Sequence, residues 1–183
     1  PSFDINGIDP AHKLAILASV AFGNEVNFDA VHVEGIRHIS QIDMQFAAEL
    51  GYRIKLLGLA SIRDDGLEQR VHPCMVPADA PIAHVSGSFN AVVVNGDFID
   101  TIVLEGQGSG AGPTASAVVA DLLDIARSSK VPTFAIPADE LKRLDPVPME
   151  RHFGAYYIRL MVVDKPGVFA DIAGALKDNA VSM

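Results

Sequence analysis

A single cysteine stands in 183 residues, so no internal disulfide can form, and Cys74 argues for a reducing compartment such as the cytoplasm. Basic residues are scarce as well. Fourteen Lys and Arg against 23 Asp and Glu leave a formal charge of −9. Nucleic acid and anionic membrane surfaces need clustered Lys and Arg, so neither is an expected partner. Small anionic ligands are not excluded, because they answer to local field rather than net charge. No apolar run approaches the ~20 residues of a membrane span. Pro1-Ser2-Phe3-Asp4 resembles neither a native start nor a signal peptide, and reads as a cut in a longer chain. What is present, 49% hydrophobic and 20% charged residues, suits one folded core plus a small appendage.

Asp9-Pro10 opens the first helix, with Asp9 as N-cap and Pro10 at the first helical position. Leu14, Leu17, Ala18 and Ala21 follow at helical spacing up to Gly23, a C-cap. A second helix runs from Ser40, another N-cap, through Ile42, Phe46, Ala47 and Leu50 to Gly51. Residues 54–60 read as a strand buried on both faces. Asp64-Asp65-Gly66 then turns the chain into a returning strand over 69–76. Residues 91–94 and 98–104, split by Asn95-Gly96-Asp97, make a second hairpin, and a glycine-rich stretch over 106–112 leads into a helix over 114–128. Helices interleaved with hairpins predict an α+β fold, a mixed sheet with helices on one side. Pro132, Pro137, Pro146 and Pro148 mark 131–153 as a linker after a first domain of residues 1–130. Beyond it, 156–163 reads as a strand, Asp164-Lys165-Pro166-Gly167 as a turn and 168–179 as an amphipathic helix, with a further strand due at Met183.

The segment richest in chemistry is Asp4-Ile5-Asn6-Gly7-Ile8-Asp9-Pro10-Ala11-His12-Lys13. Asp9 and Lys13 are four apart at a helix start and can share a face. By spacing alone, an N-cap plus a solvated ion pair accounts for them. His12 points about 100° away from Lys13 on the same helix. His32, His38, His72, His84 and His152 show no metal-ligand spacing with Cys74, which argues against a zinc site and leaves Cys74 in the core. In Gly106-Gln107-Gly108-Ser109-Gly110-Ala111-Gly112 a phosphate cradle at a helix N-terminus is physically possible. No βαβ unit with an acidic residue ~20 positions on can follow it, however, and a tight turn is the plainer account.

The string Asp4-x-x-Gly7-x-Asp9-x-x-x-Lys13 resembles the substrate-site motif of homoserine dehydrogenases. The likeness continues through Lys55-Leu56-Leu57-Gly58, Arg70-Val71-His72-Pro73 and Asn90-Ala91-Val92 to Gly106-x-Gly108-x-Gly110 and Pro113-Thr114-Ala115. The resemblance implies interconversion of L-homoserine and L-aspartate 4-semialdehyde with NADP or NAD, within threonine, methionine and isoleucine biosynthesis, by a homodimer or higher oligomer. It implies Lys13 as the catalytic lysine, Asp4 and Asp9 as substrate-binding carboxylates, and Gly110 against the cofactor, with no metal ligand. Hydride transfer to an aldehyde leaves an alkoxide that a positioned ammonium can protonate, and a carboxylate is the natural partner of the substrate ammonium. The family's dinucleotide fingerprint, a second lysine, a substrate glutamate and a monovalent-ion site belong upstream and have no counterpart here. The substrate site is therefore incomplete, and the fragment alone is expected to be inactive. Residues 154–183 resemble the first strand and helix of a ferredoxin-like ACT domain, which implies an amino-acid effector such as threonine at the helix start beside Pro166-Gly167. The alternative for the whole chain is a non-catalytic amino-acid-binding regulatory module working through that tail.

Overall fold

The computed structural model describes residues 2–182; Pro1 and Met183, where the sequence suggests a cut and a further strand, lie outside the described residues. The elements in order are α1 (Ser2–Ile5), α2 (Ile8–Phe22), β1 (His32–Val33), α3 (Gln41–Glu49), β2 (Tyr52–Arg63), β3 (Gly66–Pro77), β4 (Phe89–Gly96), β5 (Asp100–Gln107), α4 (Ala111–Ala126), β6 (Pro146–Val147) and α5 (Val168–Asp178). Contacts divide the chain into two units, Pro1–Phe153 and Gly154–Met183.

β2 and β3 are the frame of the first unit. Their antiparallel arms pair from Tyr52↔Pro77 to Arg63↔Gly66 around the two-residue turn Asp64-Asp65. β1 runs parallel to β3 at His32↔Arg70 and Val33↔Val71, and β6 runs parallel to it at Leu67↔Pro146 and Glu68↔Val147. Since β2 occupies one edge of β3, β1 and β6 share the other, and the sheet is mixed as expected. β3 is therefore the interior strand, buried continuously over residues 67–71. β2, expected to be buried on both faces, contains no buried residue because it lies at the sheet edge.

Alternation along the hairpin sends Leu56, Ala60 and Val71 to one face. There they meet Ala11, Leu14 and Ala15 of α2, with Val31, Phe28 and Val33 closing the cluster. Alanines at 11 and 15 let the helix lie close to the strands, and at Gly58 a Cβ would sit 3.4 Å from Leu14 Cδ1. Of the expected stripe Leu14 and Ala18 are buried, whereas Leu17 and Ala21 turn outward and Ala11, Ala15 and Ser19 are buried instead. Gly23 is the C-cap, at φ 62° with its N–H donating to Ser19 O at 2.9 Å. α3 has Ser40 as N-cap, closed into a capping box. Ser40 N and Oγ donate to Asp43 Oδ2 at 2.8 and 2.6 Å, and Asp43 N donates back to Ser40 Oγ at 3.4 Å. Its apolar Ile42, Phe46 and Leu50 are exposed, and only Asp43 and Ala47 are buried.

Residues 131–153, expected as a linker, contribute structure to this unit. Lys142 N donates to Gly23 O and Glu25 N to Lys142 O, both at 2.8 Å, and Leu144 N donates to the buried Asn24 Oδ1 at 2.9 Å. β6 follows at once on β3. The prolines that suggest a linker are tolerated because this stretch borders an edge and needs few donors.

β4 and β5 form a separate two-stranded sheet, closed by Asp97-Phe98-Ile99 rather than by Asn95-Gly96-Asp97. α4 starts at Ala111 and so takes in Gly112 and Pro113; none of its residues is buried. In the second unit α5 forms, capped by Gly167 at φ 93°. The strand expected over 156–163 does not: a strand needs a ladder partner, and the described residues of this unit hold no second strand.

Candidate active site

The Asp4–Lys13 string folds as a helical elbow. Asn6 N donates to Ser2 O at 3.0 Å and Gly7 N to Asp4 O at 3.1 Å, ending α1. Gly7 adopts φ 79°, ψ 7°, a left-handed conformation disfavoured for other residues, and serves as the N-cap of α2. A Cβ there would lie 3.1 Å from Val33 Cγ1 and 3.2 Å from Val71 Cγ1, so the elbow sits directly on the sheet. Asp9 is consequently not the N-cap expected from Asp9-Pro10. The helix begins one residue before it, because Gly7 supplies the turn conformation.

Freed from capping, the Asp9 carboxylate turns down the helix to Lys13, with Nζ and Oδ2 2.7 Å apart. The two side chains are 60% (Lys13) and 42% (Asp9) exposed, so the pair adds only about 0.3–0.5 kcal/mol to the helix. Asp4 lies on α1, across the elbow from Asp9. His12 is stacked on Phe28 with ring centroids 4.1 Å apart and an 8° interplanar angle, which commits it to packing beside the core. The backbone therefore brings Asp4, Asp9 and Lys13 to one end of α2.

Gly110 is placed elsewhere, at the N-cap of α4 with φ 110°, where only a glycine is comfortable. Before it, Gly108 N donates to Ser88 O at 3.2 Å, carrying the β4–β5 pairing one step past Phe89↔Gln107. A Cβ at Gly106, in β5, or at Gly112, in α4, would meet nothing within 4 Å, whereas one at Gly108 would overlap the Asn90 side-chain amide.

A second cluster had no place in the sequence reading. Glu68, with a side chain 5% exposed, accepts from Arg63 Nε at 2.9 Å and from Ser61 Oγ at 3.2 Å, pairs with Arg63 Nη2 at 2.8 Å and with Arg70, and lies 3.1 Å from His152 Nδ1. Its signal was available in the register: Ser61 faces Glu68 and Leu59 faces Arg70 across the hairpin, on the side away from α2. His152, more than 80 positions later, could not be placed from sequence. Burial alone would raise the Glu68 carboxyl, but the Arg63 hydrogen bond, the Arg70 and Arg63 charges and the Ser61 hydroxyl hold it below its ordinary 4.5. Nearby, burial pushes the His72 imidazole down and the Cys74 thiol up, so neither is a ready acid or nucleophile.

A cleft of about 450 Å³ opens beside this cluster, walled by Arg63, Asp65, Glu68, Arg151 and His152. It contains none of Asp4, Asp9 and Lys13. Its charges answer one another, Arg151 pairing with Asp65 at 2.5 Å as Arg63 and Arg70 pair with Glu68. We assign it a structural role. A lowered folded-state carboxyl contributes stability above the ordinary value that is lost as pH falls through the folded one. Glu68→Gln should therefore lower stability by roughly 1–3 kcal/mol at neutral pH and shrink the loss below about pH 4.5, as melting temperature followed across pH would show. Equal acid sensitivity in both proteins would place that loss elsewhere.

The homoserine dehydrogenase family profile matches residues 1–123. A homoserine dehydrogenase of Pseudomonas aeruginosa is 44% identical over the whole of this chain, which covers 44% of that protein. A crystal structure of a homoserine dehydrogenase from Thiobacillus denitrificans superposes with a TM-score of 0.84 at 41% identity, over 98% of this chain and 43% of that one. A hyperthermophilic archaeal homoserine dehydrogenase mutant in complex with NADPH gives a TM-score of 0.54 at 29% identity, over 70% of this chain and 35% of that one. The chain thus spans less than half the length of the relatives it matches.

Proposed function

We propose that this chain, which belongs to the homoserine dehydrogenase family, supplies the substrate-binding part of an enzyme that interconverts L-homoserine and L-aspartate 4-semialdehyde with NADP or NAD. The observation that carries the reading is the Asp9–Lys13 pair at the start of α2, with Asp4 across the elbow. Asp4 and Asp9 bind the substrate ammonium, and Lys13 gives a proton to the oxygen of the aldehyde and takes it back in the oxidation of homoserine. A helix seated on the β2–β3 hairpin gives these groups a rigid base, which proton transfer at hydrogen-bond range requires.

The cofactor supplies or accepts the hydride. Of its contacts, this chain offers Gly110, the N-cap of α4, whose φ of 110° keeps that position free of a side chain; the dinucleotide fingerprint itself is not among these residues. We further infer a homodimer, since Ile42, Phe46 and Leu50 of α3, and Val92, Val93 and Leu104 of the second hairpin, are exposed on this chain alone. A cytoplasmic setting fits the single cysteine, and among the described residues no helix is long and apolar enough to cross a membrane. An ACT-like tail responding to an amino acid such as threonine remains part of the proposal, supported by α5 and its Gly167 cap. The alternative, a purely regulatory module, has less support, because the described residues of that tail form one helix and no strand while the Asp4–Lys13 elbow is formed.

Kinetics of the full-length enzyme carrying this chain test the reading. Asp4→Asn should raise the homoserine KM, and Asp9→Asn should raise KM and lower kcat together, since Asp9 touches Lys13 as well. Mutants that melt earlier while keeping wild-type kinetics would reduce both carboxylates to helix-end electrostatics.

A further inference from the structure

We propose that Gly35 and Arg37 are positioning residues that fix the spacing of Asp4 and Asp9 by clamping the elbow between α1 and α2. The inference rests on the substrate-site reading above and adds residues outside the motif. Asp4 and Asp9 stand on different helices, joined only by Asn6 and Gly7, so the angle at that joint decides how far apart two carboxylates meet one ammonium.

Three contacts from a single segment hold the joint. Ile36 N donates to Ile5 O at 2.9 Å. Arg37 Nε donates to Asn6 Oδ1 at 2.6 Å. Gly35 lies so close that a Cβ would overlap the Ile5 carbonyl oxygen and come within 2.8 Å of Asn6 Cα. The segment is itself anchored to the sheet. Val33 pairs with Val71 and presses under Gly7, and Glu34 N donates to Val71 O at 2.7 Å. A continuous path runs from β3 through residues 33–37 to the elbow, sharing Val33 and Val71 with the hydrophobic seat of α2 and adding polar contacts of its own at Ile36 and Arg37. The Arg37 bond is exposed, so it contributes little to global stability, and its consequence is local.

The experiment uses the full-length enzyme and compares Arg37→Ala, Arg37→Lys, Asn6→Ala and the Arg37→Ala/Asn6→Ala double variant, with Gly35→Ala as a backbone probe. Losing a hydrogen bond with one charged partner should raise the homoserine KM by about 3- to 10-fold, leaving the KM for NADP and the melting temperature close to wild type. The double variant should be no worse than either single one, because both remove the same bond. Arg37→Lys should recover part of the affinity, since an ammonium can reach the same oxygen. Gly35→Ala should do more damage than either, because its new methyl group meets backbone atoms that cannot swing aside.

A homoserine KM within about twofold of wild type in both single variants overturns the clamp, as does a double variant whose loss is the full product of the two. A general folding defect would move the NADP KM or the active fraction instead, and would also count against it. Lys13→Ala, run in parallel, separates the two levels of the argument. If Lys13→Ala keeps full turnover, the substrate-site reading fails; if it is inactive while the Arg37 and Asn6 variants are silent, the clamp alone fails.

Discussion

Lys13→Ala in the full-length enzyme should reduce the turnover of homoserine by roughly 10²–10⁴-fold, the usual worth of a positioned proton donor or acceptor. The expectation follows from what the side chain does not do for the fold. Its ion pair with Asp9 is solvent-exposed and contributes only tenths of a kcal/mol, and the α2 core is built from Ala11, Leu14 and Ala15 on another face. The variant should therefore melt close to wild type and bind NADP normally, so that the loss falls on chemistry. Retention of half the turnover would return Lys13 and Asp9 to the status of a surface pair.

The second large effect concerns the chain by itself, which should fold, show no homoserine oxidation and bind no NADPH saturably at micromolar concentration. A dehydrogenase must hold a nicotinamide ring against the substrate carbon, and a nucleotide-binding domain provides that placement. Here the parallel pairings amount to two residue pairs each, at β1–β3 and β3–β6, with no strand–glycine-fingerprint–helix unit attached to either among the described residues. The glycine-rich stretch over 106–112 leads into α4, which has no buried residue in this chain. The β2–β3 hairpin and its cover of α2 nevertheless form a core able to fold. Titration with NADPH and an assay of the isolated chain check the expectation, and saturable binding or turnover would show that the cofactor site lies within these residues.

The parts of the structure legible in the sequence are those governed by neighbours in the chain. The Asp64-Asp65 turn, the Gly23 and Ser40 caps and α5 after Pro166-Gly167 each depend on a few adjacent residues, and each was readable. What escaped depends on distant partners. Asp9 looked like an N-cap because Asp-Pro is a good helix opener, but Gly7, pressed between Val33 and Val71, takes that place. Leu17 fits a helical stripe, yet the chain buries the smaller Ala15, where close approach to the sheet matters more than area, and of the stripe read in α3 only Ala47 is buried. Residues 142–147 read as linker because no local pattern announces an Asn24 side chain waiting 120 positions earlier. The strand over 156–163 had the right composition, but the described residues of its unit hold no second strand to complete a ladder. At the candidate site, spacing placed Asp9 beside Lys13, but the elbow between α1 and α2 is held by residues 33–37, which no local pattern announces.

The most direct test is a crystal structure of the full-length enzyme with L-homoserine bound. The account predicts the homoserine ammonium against the carboxylates of Asp4 and Asp9, and its hydroxyl oxygen about 2.6–3.2 Å from Lys13 Nζ. Homoserine seated in the cleft between Arg63, Glu68 and Arg151, with Lys13 still paired only to Asp9 in solvent, would contradict it.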